Sequence, residues 1–198
     1  KFTVTPPEWV KDHPGYFSLL DLGDTEREIL FPQETLFGCN FCIRKNVLME
    51  VGGFNPDGFS NLEYYWQRGD GETGLQRKIA QTPWRMLYNP SAWLFHQIPQ
   101  TRLTHDFLIR RAQTQAVSDS FTYYRTHPGL FPLAKGLGLS ILMNFKYLFN
   151  RITRSENDDL QSAVRKRYWA YRQSYAWKVL TTPALLFYTR LDTYWDKP

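Results

Sequence analysis

The chain has 198 residues, of which 42% are hydrophobic, 22% charged and 17% aromatic, and its formal net charge is +5. This composition excludes disorder over most of the chain, as well as fibrous and coiled-coil architectures. The positive charge predicts attraction to anions such as nucleotide diphosphates or anionic lipid headgroups. Two cysteines, Cys39 and Cys42, are too few for a disulfide framework. They favour reduced, buried thiols in a cytoplasmic protein, either free or peripheral on the cytoplasmic face of the membrane.

The first third of the chain predicts a loop followed by a strand and a helix. Residues 1–35 are rich in proline, glycine and acidic residues, which is typical of a loop-rich lead-in with one short helix. The apolar run LFGCNFCI at 36–43 predicts a buried strand. Apolar residues at helical spacing come next, and Gly52 and Gly53 stand where a left-handed cap would end the helix.

The middle of the chain predicts a second helix and two further strands. Asp70 is placed to cap a helix whose apolar face includes Leu75 and Ile79. Short strands are expected at 84–89 and 91–97, the second of which contains His96 near its end. A long helix is then expected over 101–124, because this segment has few breaking residues and a regular apolar stripe.

The last third has a different character and predicts a helical extension over residues 128–198. A helix over 158–181 interleaves basic residues with tryptophan and tyrosine, a pattern that suits the headgroup region of an anionic membrane surface. The most apolar stretch, 136–149, is interrupted by Asn144 and Lys146. A membrane-spanning helix is therefore not expected.

Three sequence pieces occur in a fixed order over residues 36–125: LFGCNFCIRKNVLMEVGGFNPD, GDGETGLQRKI and RMLYNPSAWLFHQIPQTRLT, followed by a helix with paired arginines. This ordered set resembles the C-terminal half of family 2 glycosyltransferases of the GT-A fold. The resemblance implies the α/β fold class, with a partial GT-A (nucleotide-diphospho-sugar transferase) half-domain and a mixed short sheet at 36–127. The lead-in 1–35 would precede it and the helical extension 128–198 would follow it.

The resemblance also implies an activity, the transfer of a sugar from a nucleotide-sugar donor to a hydroxyl acceptor. Inversion by a single in-line displacement, a carboxylate base and a divalent metal, Mg²⁺ or Mn²⁺, would go with it. The nucleotide-binding half of the fold, with its Asp-x-Asp, does not occur in the sequence. It is expected in a longer protein or in a partner chain, so the isolated chain is expected to be inactive.

By the same resemblance, one of two acidic residues would be the base. Glu72 is at the place of the family's catalytic aspartate, and Asp70 is the alternative. Positions two apart on a helix point to nearly opposite sides, so only one of the two is expected to face the acceptor. We favour Glu72 as the base and Asp70 as the helix cap, although the spacing leaves the choice open.

Four other residues take roles by resemblance or by their chemistry. His96 would bind the metal or touch the diphosphate, and Arg102 would hold the diphosphate with its planar donor fork. Asn40 and Trp66 would line the acceptor site, where a flat ring can stack on a sugar.

The main alternative is a non-catalytic peripheral membrane or partner-binding module, in which the basic aromatic helices bind anionic lipid or another protein. Nucleic-acid binding is not expected, because the rings fall on helix stripes and apolar strands rather than on an alternating exposed platform.

Overall fold

The computed structural model of the chain describes residues 2–55, 68–154 and 160–190. Within these ranges the chain divides into two compact units. The first contains residues 2–55 and 70–104, and the second contains residues 68–69, 105–154 and 160–190.

The first unit consists of short elements joined by irregular chain. Its two α-helices are α1, Lys45–Glu50, and α2, Gly71–Ile79. Its sheet consists of β1, Arg27–Glu28, and the antiparallel β2, Leu87–Tyr88. Single 3-10 turns complete it at Glu8–Asp12, Pro14–Phe17, Gly38–Asn40 and Gln100–Arg102.

The predicted α/β fold class is wrong. The described residues are mostly helical, and their only sheet is the pair β1 and β2, so they do not form a GT-A half-domain with a mixed sheet. The run 36–43 contains a 3-10 turn instead of a strand, and 91–97 forms no named strand either. A strand needs a neighbouring strand to form hydrogen bonds with its backbone N–H and C=O groups. At Leu36 the side chain of Gln76 forms these hydrogen bonds instead, because it bonds both the N–H and the C=O of Leu36.

The helix ends of the first unit follow the local sequence. After α1, Gly52 and Gly53 adopt φ of 74° and 72°, a left-handed conformation that glycine adopts without strain. The Gly53 N–H donates to the Leu48 carbonyl at 2.9 Å, and Lys78 of α2 donates to the Gly53 carbonyl at 2.9 Å. The predicted glycine stop is confirmed, and a lysine from α2 holds it in place.

The second unit is a bundle of four helices: α3 His105–Thr126, α4 Leu130–Arg154, α5 Leu160–Thr181 and α6 Pro183–Thr189. Helix α5 packs against α3, α4 and α6. The buried core combines aliphatic and aromatic side chains from all four helices: Val117, Phe121, Tyr124, Leu133, Tyr175, Ala176, Val179 and Leu185. The helices expected over 101–124 and 158–181 are present as α3 and α5. Helix α3 begins at His105, later than expected, and residues 158 and 159 lie outside the described residues.

Polar side-chain bonds join α5 to α4 and to α3. Asn144, which interrupts the apolar stretch of α4, donates to the side chain of Gln173 on α5. The Tyr168 hydroxyl of α5 donates to Asp119 of α3 at 2.6 Å. Burial raises the pKa of Tyr168, and the neighbouring Asp119 charge adds to the effect. These bonds satisfy polar groups at helix interfaces, where an unpaired group would be costly.

Over residues 2–55, 68–154 and 160–190, no helix combines the length and the apolar character needed to cross a membrane.

Candidate functional site

Helix α2 presents two polar side chains, Glu72 and Gln76, to the segment that begins at Leu36. The two are four residues apart and share one face of the helix. The Gln76 amide accepts from the Leu36 N–H at 2.7 Å and donates to the Leu36 carbonyl at 2.9 Å. The Glu72 carboxylate lies one turn away, directly against Gly38. A Cβ added at Gly38 would be 2.0 Å from Glu72 Oε1, so the absence of a side chain there makes room for the carboxylate.

The second acid, Asp70, has a different environment. It precedes α2 as its N-cap residue, as predicted, but its side chain makes no capping hydrogen bond. It is 5% exposed, and its Oδ1 accepts from Asn55 Nδ2 at 2.8 Å. A Cβ added at Gly74 would be 2.3 Å from Asp70 Oδ1 and 2.4 Å from Asn55 Nδ2. The hydrogen-bonded Asp70 and Asn55 side chains therefore occupy the space that a side chain at position 74 would need. Asp70 is thus buried in a local packing arrangement, whereas Glu72 is only partly buried.

A cavity of about 820 Å³ lies in the first unit, beside the Gly38–Asn40 turn. Its lining comes from three segments, within 14–21, 36–42 and 87–96. Asn40 lines it and donates from Nδ2 to the Ala92 carbonyl at 2.7 Å, which ties the turn to the third segment. The predicted site residues Asn40 and His96 therefore share one cavity.

His96, which lines this cavity, is held in place by the backbone of Phe17. Its Nδ1 lies 2.8 Å from the carbonyl of Phe17, which also contributes to the buried core. Because a carbonyl oxygen only accepts, Nδ1 carries the proton, and in the neutral ring Nε2 is then the acceptor nitrogen.

Among the predicted site residues that the structure describes, Asp70, Glu72 and Arg102 are not part of the cavity lining. Arg102 ends the short Gln100–Arg102 turn, is exposed, and is not among the residues that line the cavity. Trp66 lies outside the described residues. Its assignment to the acceptor site, like that of Arg102 to the diphosphate, stays a prediction.

The described residues do not by themselves fit a divalent metal. Across residues 2–55, 68–154 and 160–190, no three His, Cys, Asp or Glu side chains are grouped closely enough to hold an ion. The role of His96 as a metal ligand stays a prediction, and we assign no other described residue to a metal.

Several residues that shape the site were not anticipated. Trp93 and Phe95 line the cavity, are largely exposed, and pack edge to face with ring centroids 5.1 Å apart. Trp93 and Phe95 stand at alternate positions of the predicted strand 91–97, and this spacing was the sequence signal that could have indicated them. Gln76 could have been found from its i,i+4 spacing to Glu72. The contact between His96 and Phe17, 79 residues apart, had no local signal.

The cysteines also differ from expectation. Cys39 and Cys42 are exposed rather than buried, they form no disulfide, and both line the cavity. The reason is the loss of the predicted strand, because the turn at Gly38–Asn40 places them at the surface of the first unit.

No family model, no curated protein and no solved structure matches this chain.

Proposed function

We propose that this chain provides the acceptor side of a glycosyl-transfer site, in which a sugar passes from a nucleotide-sugar donor to a hydroxyl group. The observation that carries the proposal is the separation of the two acids. Asp70 is buried and bonded to Asn55, while the partly buried Glu72 carboxylate lies against Gly38, which adjoins the cavity-lining residues Cys39 and Asn40 in the chain. The ordered motifs over residues 36–125 support the same reaction through their resemblance to family 2 glycosyltransferases.

In this reaction Glu72 acts as the general base. Its carboxylate takes the proton of the acceptor hydroxyl as the acceptor oxygen forms a bond to the anomeric carbon. The bond from that carbon to the nucleoside diphosphate breaks, and its electron pair leaves with the diphosphate. Because attack and departure occur on opposite faces of the carbon, the product has inverted stereochemistry.

The cavity supplies groups that suit a sugar acceptor. Trp93 and Phe95 offer exposed ring faces and edges for stacking against a pyranose, and Asn40 and His96 offer polar groups beside them. An apolar wall with a few polar groups is typical of sites that orient a small ligand.

The proposal is tested by measuring transfer in the protein purified from its native host, with every segment and partner it has there. Labelled nucleotide sugars of different bases and sugars are offered with a panel of glycoside and lipid-linked hydroxyl acceptors. We expect release of nucleoside diphosphate together with labelled product. Glu72→Gln should lower the rate by at least about a hundredfold, because the amide cannot accept the proton.

Two matched substitutions control this test. Glu8→Gln changes an exposed glutamate whose side chain pairs with the exposed Lys11, and it should leave the rate unchanged. Asp70→Asn keeps an oxygen that can accept from Asn55, so it should lower the rate far less than Glu72→Gln. A larger loss in Asp70→Asn than in Glu72→Gln would move the base to Asp70, and a fully active Glu72→Gln protein would refute the assignment.

A further inference from the structure

Helix α4 turns an apolar face to solvent. Phe131, Leu142, Phe145 and Phe149 are 77%, 64%, 65% and 65% exposed. At 100° per residue these four side chains project within about 60° of one another along roughly 27 Å of helix. The three phenylalanines alone present roughly 400 Å² of apolar surface, near the largest patch that a typical monomer exposes.

The opposite face of α4 is the one that packs into the bundle. Leu133, Gly136 and Ser140 are buried there, and a Cβ added at Gly136 would be 2.5 Å from the hydroxyl oxygen of Tyr124. The bundle therefore already has its core contacts on one side of α4. The exposed phenylalanines belong to the other side.

The charges of this face have one sign. Lys135 and Lys146 are exposed. At 100° per residue, both project along the same edge of the apolar stripe. Helix α4 contains no Asp or Glu, and neither do α5 and α6. On α5, Arg165, Lys166 and Arg167 are exposed as well. An apolar stripe with a lysine edge, on a helix that contains no Asp or Glu, complements a bilayer, whose interior is hydrocarbon and whose surface carries negative charge.

We propose that the Phe131–Phe149 face of α4 docks the protein onto an anionic lipid bilayer. The helix lies in the plane of the interface, with its phenylalanines and Leu142 in the acyl boundary and the ammonium groups of Lys135 and Lys146 among the headgroups. This role is independent of the proposed transfer reaction, because none of these residues belongs to the cavity of the first unit.

The test is flotation of the full chain with vesicles of phosphatidylcholine, with or without phosphatidylglycerol as the anionic lipid. We expect binding to the anionic vesicles that weakens as salt is raised. Leu142→Gln with Phe145→Gln should weaken it about tenfold or more, since two apolar side chains no longer enter the bilayer. Lys135→Gln with Lys146→Gln should weaken binding to anionic vesicles about fivefold per lysine and leave any binding to neutral vesicles unchanged.

The matched control replaces Leu30 and Met49, which are 62% and 63% exposed in the first unit, by glutamine. This variant should bind vesicles as the unaltered chain does. Circular dichroism checks that the helices are kept. If the Leu142 and Phe145 variant loses helix, the lysine variant decides the question.

Three results would overturn the proposal. They are no vesicle binding by the unaltered chain, equal binding by the Leu142 and Phe145 variant, and a dimer that this variant abolishes while vesicle binding persists. The last result, seen by sedimentation velocity, would identify a second copy of the chain as the occupant of the face.

Discussion

The two units of this chain are held together by different interactions. In the first unit, side chains bond to backbone groups far away in sequence, as Gln76 does to Leu36, Asn40 to Ala92 and His96 to Phe17. In the second, helices pack through apolar and aromatic side chains around Phe121, Tyr124 and Tyr175. The comparison teaches that the first unit depends on single polar atoms, which a conservative substitution can remove, whereas the second depends on the volume of its core.

The largest effect is expected from removing core volume in the second unit. Phe121 is fully buried, and Phe121→Ala should lower the free energy of unfolding by about 3–5 kcal/mol. Urea titration followed by far-ultraviolet circular dichroism measures this. Phe187→Ala removes an equally large but exposed ring from the same unit and should cost about 1 kcal/mol or less. Equal losses in the two variants would contradict the described core.

The second unit should also lose stability at high pH. Burial raises the pKa of the Tyr124 phenol to about 12, against about 10 in an unfolded chain. Below pH 10 both states keep the proton. As pH rises from 10 towards 12 only the unfolded state releases it, so stability falls, by about 3 kcal/mol in total from this group.

Urea titrations at a series of pH values check this expectation. The comparison is with Tyr124→Phe, which has no proton to lose and should show a smaller decline over the same interval. An identical decline in both proteins would show that Tyr124 is not the group responsible.

In the first unit, a single glutamine should contribute less to stability than Phe121 does in the second, but more than an exposed residue. Gln76→Ala leaves the Leu36 N–H and C=O without their partner, and we expect a loss of about 2 kcal/mol in the free energy of unfolding. Gln81→Ala, at an exposed position just after α2, should cost less than about 0.5 kcal/mol. The prediction fails if urea titration cannot distinguish the two variants.

The Gly38→Ala substitution should have a small effect on stability but a large effect on the rate of sugar transfer. In Gly38→Ala the new Cβ displaces the flexible end of Glu72, which costs less than about 1 kcal/mol but moves the proposed base. A displacement of about 1 Å can lower kcat by up to about a hundredfold, with less effect on KM.

The matched control for this experiment is Gly15→Ala. A Cβ added at Gly15 meets nothing within 4 Å, so this variant should keep both stability and rate. A Gly38→Ala protein with normal kcat would show that the position of the Glu72 carboxylate is not important for the reaction.

Sequence reasoning worked where structure is decided locally. Helix α2 follows from its apolar spacing, with Leu75 and Ile79 buried on one face, and the stop at Gly52 and Gly53 follows from glycine conformation. It failed for the run 36–43, because a β-prone segment becomes a strand only if a neighbouring strand pairs with it, and Gln76 occupies the backbone of Leu36 instead. Which chemical groups meet over long separations, such as His96 and Phe17, could not be predicted from composition or periodicity.

The basic aromatic pattern of α5 shows a related difficulty. From sequence, this helix was the natural candidate for a membrane surface. In the structure α5 packs against three other helices, and Arg172 lies 5.7–5.9 Å from the ring centroids of Tyr123, Tyr168 and Trp169. Cation–π contacts within the bundle therefore explain why Arg172 lies among aromatic side chains. An exposed apolar stripe lies instead on α4, whose two faces are both apolar in sequence, so that periodicity alone could not tell which one is buried.

The two hydrogen bonds between the Gln76 side chain and the Leu36 backbone restrict which amino acids position 76 can carry during evolution. Only a side-chain amide offers a donor and an acceptor on one planar carbon, so glutamate lacks the donor, lysine lacks the acceptor, and asparagine is one methylene too short. Among diverged relatives this glutamine should therefore vary as little as a catalytic residue, although what it recognises is the protein's own main chain. A search for active-site residues based on invariance alone would select it as readily as the proposed base Glu72, and only the structure would distinguish the two roles.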